Sequence, residues 1–323
     1  MACSALGLSL HSTLPHPSLR QNPTSGPNGR IHKWLTGGVK PRFRSWGVRA
    51  AATEQMGTME TSWIEFPRLS PTGKKLMETA AALMDRELGE SIKPSETPPD
   101  VRSFQGQHGE GSVVLRAGQQ GSKVDFVLGS WLKCTLPFGT LNSATLTAIM
   151  GPSADSPHLV FDYIQNAGSE SLVLVLDLVP RKDLVLHPEY LARFYENTPL
   201  ESVRQAFEKH PVSQPYLTSS LYVRTAISPT ALLYKINGEG VEGGLDAVVT
   251  DLVQPAVMKV LETWVQGFKN LGEAMDSDAM AYMKKRDDLI KTKVVEIDMG
   301  ANMPRLFGDE IADRVIAAFR RGV

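Results

Sequence analysis

The chain has 323 residues, with 34 Lys and Arg against 35 Asp and Glu, and 42% of it is apolar. That length holds one large domain or two ordinary ones, and the apolar share calls for a sizeable core rather than disorder. The longest near-continuous apolar run, residues 172–179, contains Asp177 and is too short to span a bilayer as a helix. Two cysteines, Cys3 and Cys134, exclude a disulfide scaffold and any all-cysteine zinc or iron–sulfur site.

The near-neutral total hides a split. Residues 1–53 contain no Asp or Glu but carry Arg20, Arg30, Lys33, Lys40, Arg42, Arg44 and Arg49. A basic, acid-free stretch rich in Ser, Thr, Pro and Gly, with no apolar signal core, has the composition of an organelle transit peptide. Val48-Arg49-Ala50-Ala51 fits a plastid processing site. The expected organisation is a cleaved transit peptide over 1–50, a flexible N-terminus over 51–62 and a single domain over 63–323. Without the first segment, 27 basic residues face 35 acidic ones, a net charge of about −8. No basic face then remains to suggest nucleic-acid binding.

Ser70 followed by Pro71 reads as an N-cap and a first-turn proline. Leu76, Met77, Leu83, Met84 and Leu88 continue at helical spacing, which predicts a helix to about Leu88. Pro94, Pro98 and Pro99 mark a loop. Strand-like runs follow at 112–116, 123–136, 144–150, 159–165 and 172–178, separated by Gly, Pro, Asn and Ser. Their connections are too short for crossover helices, so they are expected to be antiparallel neighbours. Cys134 falls inside one of them as a small buried side chain. Residues 188–196 suggest a short helix, and Thr198-Pro199-Leu200-Glu201 a capping box opening another to about Lys209. Residues 221–225 and 231–236 read as strands. A long helical pattern runs from Leu245 to Phe268, with Pro255 kinking it or starting a new helix. Residues 293–299 read as a last strand, and Asp309 as the cap of a closing helix. The fold class is therefore α+β: an α/β/α sandwich with a central antiparallel β-sheet flanked by helices on both faces.

Phosphate loops, paired-histidine zinc helices and nucleophile elbows are absent from the sequence. Gly238-Glu239-Gly240-Val241-Glu242-Gly243 matches a dinucleotide fingerprint on paper. Its two glutamates would repel a pyrophosphate and no second βαβ unit follows, so it reads as a turn. His108, His158, His187 and His210 are scattered, and surface or capping roles are expected for all of them. Three carboxylates carry more signal. Asp162 shares a strand face with Val160 and Ile164, where a charge is costly unless paired, protonated or lining a cavity. Asp298, read on a strand face with Glu296, is a second candidate. Burial raises a carboxyl pKa, so such a group can hold and deliver a proton near neutral pH. Asp177 has a similar claim, with salt-bridge partners in the adjacent Arg181-Lys182-Asp183 turn.

Several stretches together resemble a known family. They are Phe66-Pro67 with Ser70-Pro71-Thr72, Pro98-Pro99-Asp100-Val101-Arg102, and Val124 to Trp131. Leu176-Asp177-Leu178 with Arg181 to Leu186, Val223-Arg224 with Ser228-Pro229-Thr230, Glu296-Ile297-Asp298, and Pro304 to Gly308 complete the set. In this order, from about Trp63 to the C-terminus, they resemble the red chlorophyll catabolite reductases of plants. The resemblance implies a fold akin to the ferredoxin-dependent bilin reductases. It also implies reduction of red chlorophyll catabolite, an open-chain tetrapyrrole made by pheophorbide a oxygenase, to primary fluorescent chlorophyll catabolite. Reduced ferredoxin is the implied external electron donor, with no bound flavin, metal or nicotinamide. The family's functional carboxyls fall on Asp162 and Asp298, implied to act as proton donors or substrate-orienting groups at one cavity. A position tied to product stereochemistry falls on Ile227. The sequence does not locate the groups that bind the propionates, for which Arg224 and Arg305 are the suspects. Seed-plant relatives usually carry Glu where this chain has Asp162, a carboxyl roughly 1–1.5 Å shorter in reach.

Ferredoxin is acidic, so docking calls for a local basic patch. Arg181 with Lys182, Lys284-Lys285-Arg286, and Arg320-Arg321 are the candidates. The resemblance further implies a homodimer in the chloroplast stroma, in working association with pheophorbide a oxygenase, and the leader is also compatible with mitochondrial targeting. The competing readings are a binding protein that sequesters phototoxic chlorophyll catabolites with little turnover, and a reductase of haem-derived bilins.

Overall fold

The computed structural model describes residues 62–137, 139–270 and 275–322. The basic leader, its processing site and Cys3 lie outside the described residues.

Helix α1 (Pro71–Leu88) begins where Ser70 caps it, its hydroxyl accepting from the Gly73 N–H at 3.2 Å. The short α2 (Pro99–Arg102) leads into the strands. These are β1 (Phe104–Gln105), β2 (Gly109–Ala117), β3 (Val124–Leu136), β4 (Gly139–Met150), β5 (His158–Asn166) and β6 (Ser171–Val179). Each pairs antiparallel with the next, as short connections require. Helices α3 (Pro188–Leu191) and α4 (Leu200–Lys209) interrupt the meander before β7 (Ser213–Pro215), α5 (Leu221–Ala226) and β8 (Leu232–Asn237). β8 then joins beside β6, which completes an eight-stranded sheet in the order β1-β2-β3-β4-β5-β6-β8-β7.

Helices cover both faces, and the strands are apolar on both for that reason. On one face Leu146, Phe161, Leu174 and Leu176 meet α1, α4, α6 (Gly244–Val248) and α7 (Gln254–Lys269), with Phe207, Leu261 and Trp264 wholly buried. On the other, Val113, Leu115 and Leu128 meet α9 (Gly300–Phe307) and α10 (Asp309–Arg321) through Met299, Met303, Val315 and Phe319. A smaller patch on that second face gathers Val160, Val175, Val179 and Val223 against Ile227, Ile290 and Ile297. The expected sandwich is the observed one.

Two expected strands are helices. Residues 221–225 lie in α5, whose N-terminus is capped by Ser220 accepting from the Val223 N–H. Residues 293–299 end α8 (Ser277–Val294) and form a π-helical turn (Val295–Met299) that runs into α9. Their alternation of β-branched and acidic residues mimics a strand. The same residues also present Ile290, Val294 and Ile297 at helical spacing toward the sheet, and packing decides for the helix. Pro255 sits in the first turn of α7, directly after another π-helical turn (Val249–Val253). The glycine loop before α6 is a turn, as expected. The α6 N-terminus is already occupied by the Glu170 carboxylate, which accepts from the Leu245 N–H at 2.5 Å.

One polar cluster clamps α8 to the sheet. Arg181 is fully buried and donates to both carboxylate oxygens of Asp287, to the Gly151 carbonyl at 3.0 Å and to the Ala154 carbonyl. His158 Nδ1 accepts from the Met150 N–H at 3.0 Å, so its proton sits on Nε2, 2.9 Å from Asp287. This overturns two expectations: His158 is a core residue, and Arg181 is unavailable to a surface patch. Burial holds the His158 pKa below its usual value, against the pull of Asp287. The unfolded chain therefore takes up a proton near pH 6.5 that the folded chain refuses, and this contribution to stability fades as pH falls below that point. Asp162 and Asp177, described below, oppose this slope in the wild type, so a difference measurement isolates it. We expect His158→Asn, which keeps an acceptor for Met150, to melt below wild type at pH 7.5, with the gap narrowing toward pH 5.5. Asp287→Ala strands a buried guanidinium and should cost about 3–5 kcal/mol in denaturant titrations.

Candidate functional site

The second face of the sheet carries carboxyl groups where apolar side chains would suffice. Asp162 of β5 is fully buried, opposite Thr145 of β4 and Val175 of β6. The Thr145 hydroxyl donates to Asp162 Oδ1 at 2.6 Å. Asp162 Oδ2 is equally buried and has no hydrogen-bond partner among the described residues. Burial pushes this carboxyl up to about 8, with Thr145 pulling it down and the charge of Asp298 pushing it further up. At neutral pH Asp162 is thus largely a neutral acid holding a proton.

Asp298 reaches the same region from above. It lies in the π-helical turn after α8, fully buried, with Oδ1 accepting from Asn302 Nδ2 at 3.1 Å. Its neighbour Ile297 packs on the patch that contains Val160 and Val175. Glu296, expected on the same face, points the other way into solvent and pairs with Lys293. Two residues apart on a helix is roughly 200°, so a helix separates what a strand would align. The two aspartates therefore sit on one side of the sandwich, within electrostatic reach of each other.

A narrow hollow of about 80 Å³ lies on this face, lined by Thr145, the hydrogen-bond partner of Asp162, and by Val160 two residues along the strand. Thr145, Thr147 and Val160 form its floor, with Val223 and Ala226 of α5, Ile290 and Val294 of α8, and Phe319 of α10 around it. A second, open groove of about 1000 Å³ lies on the other side of α5 and is lined by Leu184, Tyr195, Tyr216, Arg224, Ile227 and Leu233. Helix α5 thus contributes to both walls. The groove's surroundings expose Val185, Leu186, Leu217 and Leu221.

The expected site residues divide accordingly. Asp162 and Asp298 lie on one side of the sandwich without lining either space themselves, their neighbours Thr145, Val160 and Ile297 lining the hollow, and Arg224 and Ile227 line the groove, with Arg224 Nε donating to the Thr218 carbonyl at 2.7 Å. Arg305 is exposed on α9 and lines neither space. Asp177, expected to pair with the Arg181-Lys182-Asp183 turn, instead accepts from the Ser228 N–H at 3.1 Å and hydroxyl at 2.5 Å. Burial raises it to about 6 despite those bonds. It ties the Ile227-Ser228 segment to the sheet. Thr145 escaped the sequence reading. The signal was there in Ala144-Thr145-Leu146-Thr147-Ala148, a hydroxyl face that hairpin pairing sets against Asp162. Burial lifts the Cys134 thiol to about 11, which leaves it unreactive.

A solved structure of phytochromobilin synthase from tomato, in complex with biliverdin, superposes with a TM-score of 0.59 at 16% identity, covering 77% of this chain and 83% of that one. The chain thus shares the fold of that synthase. A family model described as red chlorophyll catabolite reductase matches residues 72–321. The chain is 38% identical to the chloroplastic red chlorophyll catabolite reductase of Arabidopsis thaliana, over 81% of this chain and 83% of that protein. It is 36% identical to the chloroplastic red chlorophyll catabolite reductase 1 of Oryza sativa subsp. japonica, over 86% and 84%. The chain belongs to the red chlorophyll catabolite reductase family.

A folded pKa raised above the unfolded value contributes stability below the unfolded pKa and loses it as pH rises through the folded one. For Asp162 that window runs from about 4 to about 8. Asp162→Asn, a neutral mimic of the protonated acid, should melt above wild type at pH 8, with the difference closing toward pH 4 in calorimetric scans.

Proposed function

We propose that the chain reduces red chlorophyll catabolite to primary fluorescent chlorophyll catabolite in the chloroplast stroma, with electrons from reduced ferredoxin and protons from Asp162 and Asp298. Membership of the family and its chloroplastic relatives support the reaction and the compartment. The observation that carries the residue assignment is the pair of wholly buried carboxyl groups on one side of the sandwich, with Asp162 hydrogen-bonded to a neutral hydroxyl rather than to a basic side chain among the described residues.

The chemistry sets the requirements. Saturating one double bond takes two electrons and two protons. Ferredoxin gives one electron at a time, so two docking events and a substrate radical are required. The protein must exclude water around that radical and hold acids at the reacting carbons. A neutral Asp162 can hand over its proton, and the resulting carboxylate is re-protonated from solvent between turnovers.

Ligand sites for small molecules usually measure about 300–1,000 Å³, so the narrow hollow is too small for a tetrapyrrole and the groove is large enough. We place the substrate across both, with α5 moving aside so that one end meets the carboxyls and the other lies near Ile227 and Arg224. Basic residues for ferredoxin are best supplied by Arg320 and Arg321, exposed at the end of α10 next to Phe319 of the hollow. Arg286 is less suited, since it donates to the Pro180 carbonyl. A homodimer, association with pheophorbide a oxygenase, removal of residues 1–50 and additional mitochondrial delivery belong to the same reading.

The test is anaerobic turnover with reduced ferredoxin. Asp162→Asn and Asp298→Asn should each lose about 10²–10⁴-fold in kcat while remaining folded. Activity in the wild type should fall as pH rises through about 8, where Asp162 loses its proton. Wild-type rates in both variants end the proton-donor assignment, and stoichiometric binding without turnover makes the protein a carrier. Reversing the charge of Arg320 and Arg321 together should raise the ferredoxin KM about tenfold and flatten its salt dependence.

A further inference from the structure

We infer that Thr145 is a positioning residue for the reaction: its hydroxyl holds Asp162 by Oδ1, so that Oδ2 is the oxygen presented to the substrate. The inference deepens the proton-donor reading and rests on it.

Register comes first. Thr145 and Asp162 are directly opposed across the β4–β5 pair, on the sheet face that also carries Thr147 and Val160. Directly opposed side chains have Cβ atoms roughly 4.5–5.5 Å apart, a span that one hydroxyl and one short carboxyl close in a single hydrogen bond. The observed 2.6 Å contact is that bond. Neither residue is free to drift, since Thr145 is 1% exposed and Asp162 0%.

The second observation is the other carboxyl oxygen. Oδ2 is buried, and among the described residues none hydrogen-bonds to it. Leaving a buried polar atom without a partner is costly, and a purely structural pair would avoid it by turning Oδ2 toward a donor. With Thr145 engaging the carbonyl oxygen, the acidic O–H falls to Oδ2, on the sheet face whose Thr145 and Val160 line the hollow. When a substrate atom arrives, the proton leaves Oδ2 for it. Thr145 continues to donate to Oδ1 of the carboxylate that forms, a bond that strengthens as charge develops.

Other charges bear on the same carboxyl. His158 on its own strand is neutral and engaged with Asp287, and Asp177 on β6 is held by Ser228. Asp298 faces it from the turn after α8. Lys291 and Lys293 at the rim pair with Asp125 and Glu296, and Tyr222 lines the hollow from α5. Among the described side chains, Thr145 is the one hydrogen-bonded to it.

The test compares Thr145→Val, which keeps the shape, with Thr145→Ser, which keeps the hydroxyl. The infrared carbonyl band of the protonated carboxyl, assigned by its loss in Asp162→Asn, is titrated in substrate-free protein. Loss of the hydroxyl should move that titration up by about one pH unit and lower kcat about 10- to 100-fold with KM within about twofold. Thr145→Ser should return both to wild type. An unchanged titration in Thr145→Val, or equal effects of Val and Ser, overturns the inference while Asp162→Asn inactivity leaves the proton-donor reading standing. Full activity of Asp162→Asn overturns both.

Discussion

The buried cluster of Arg181, Asp287 and His158 is the constraint on which the site depends. It fastens α8 to the ends of β4 and β5 through bonds to Asp287 and to the Gly151 and Ala154 carbonyls. The helix then runs on through its π-helical turn, and that continuation carries Asp298 to Asp162. A π-helical turn displaces the residues after it relative to a regular helix and is frequent at functional sites.

Two kinds of buried carboxyl share this face, and their surroundings set opposite chemistry. Asp287 meets a guanidinium and an imidazole N–H, which outweigh burial and keep it ionised. Asp162 meets one hydroxyl and a second carboxyl, so burial prevails and it keeps its proton. The first arrangement holds structure together, and the second stores a transferable proton at a cost in stability. Asp177 lies between them, buried but well bonded to Ser228, and serves to anchor the segment that carries Ile227.

Much of this was legible along the chain. Ser70-Pro71 started α1 where expected, and the five long strands fell within a few residues of their turn-bounded runs. Asp162 was conspicuous because a charge between Val160 and Ile164 violates the apolar alternation of a covered strand. Residues 293–299 and 221–225 were misread because short β-branched runs satisfy both periodicities, and only the surface they pack against chooses between them. His158 gave no sign of burial, since its partner is 129 residues away in sequence. Arg181 looked like one of a surface pair with Lys182 for the same reason.

Local pattern by itself determined the strand run, α1, α4, α7 and α10, the candidate acid on β5 and the family resemblance, because these rest on periodicity and short motifs that neighbours in sequence enforce. Tertiary structure alone decided that Asp298 rides a helix, that Thr145 grips Asp162, and that Ile227 and Arg224 face a separate groove. Each of those facts depends on which side chains meet across the sheet and beneath α8, and burial of that kind is a property of the packed molecule rather than of any stretch of it.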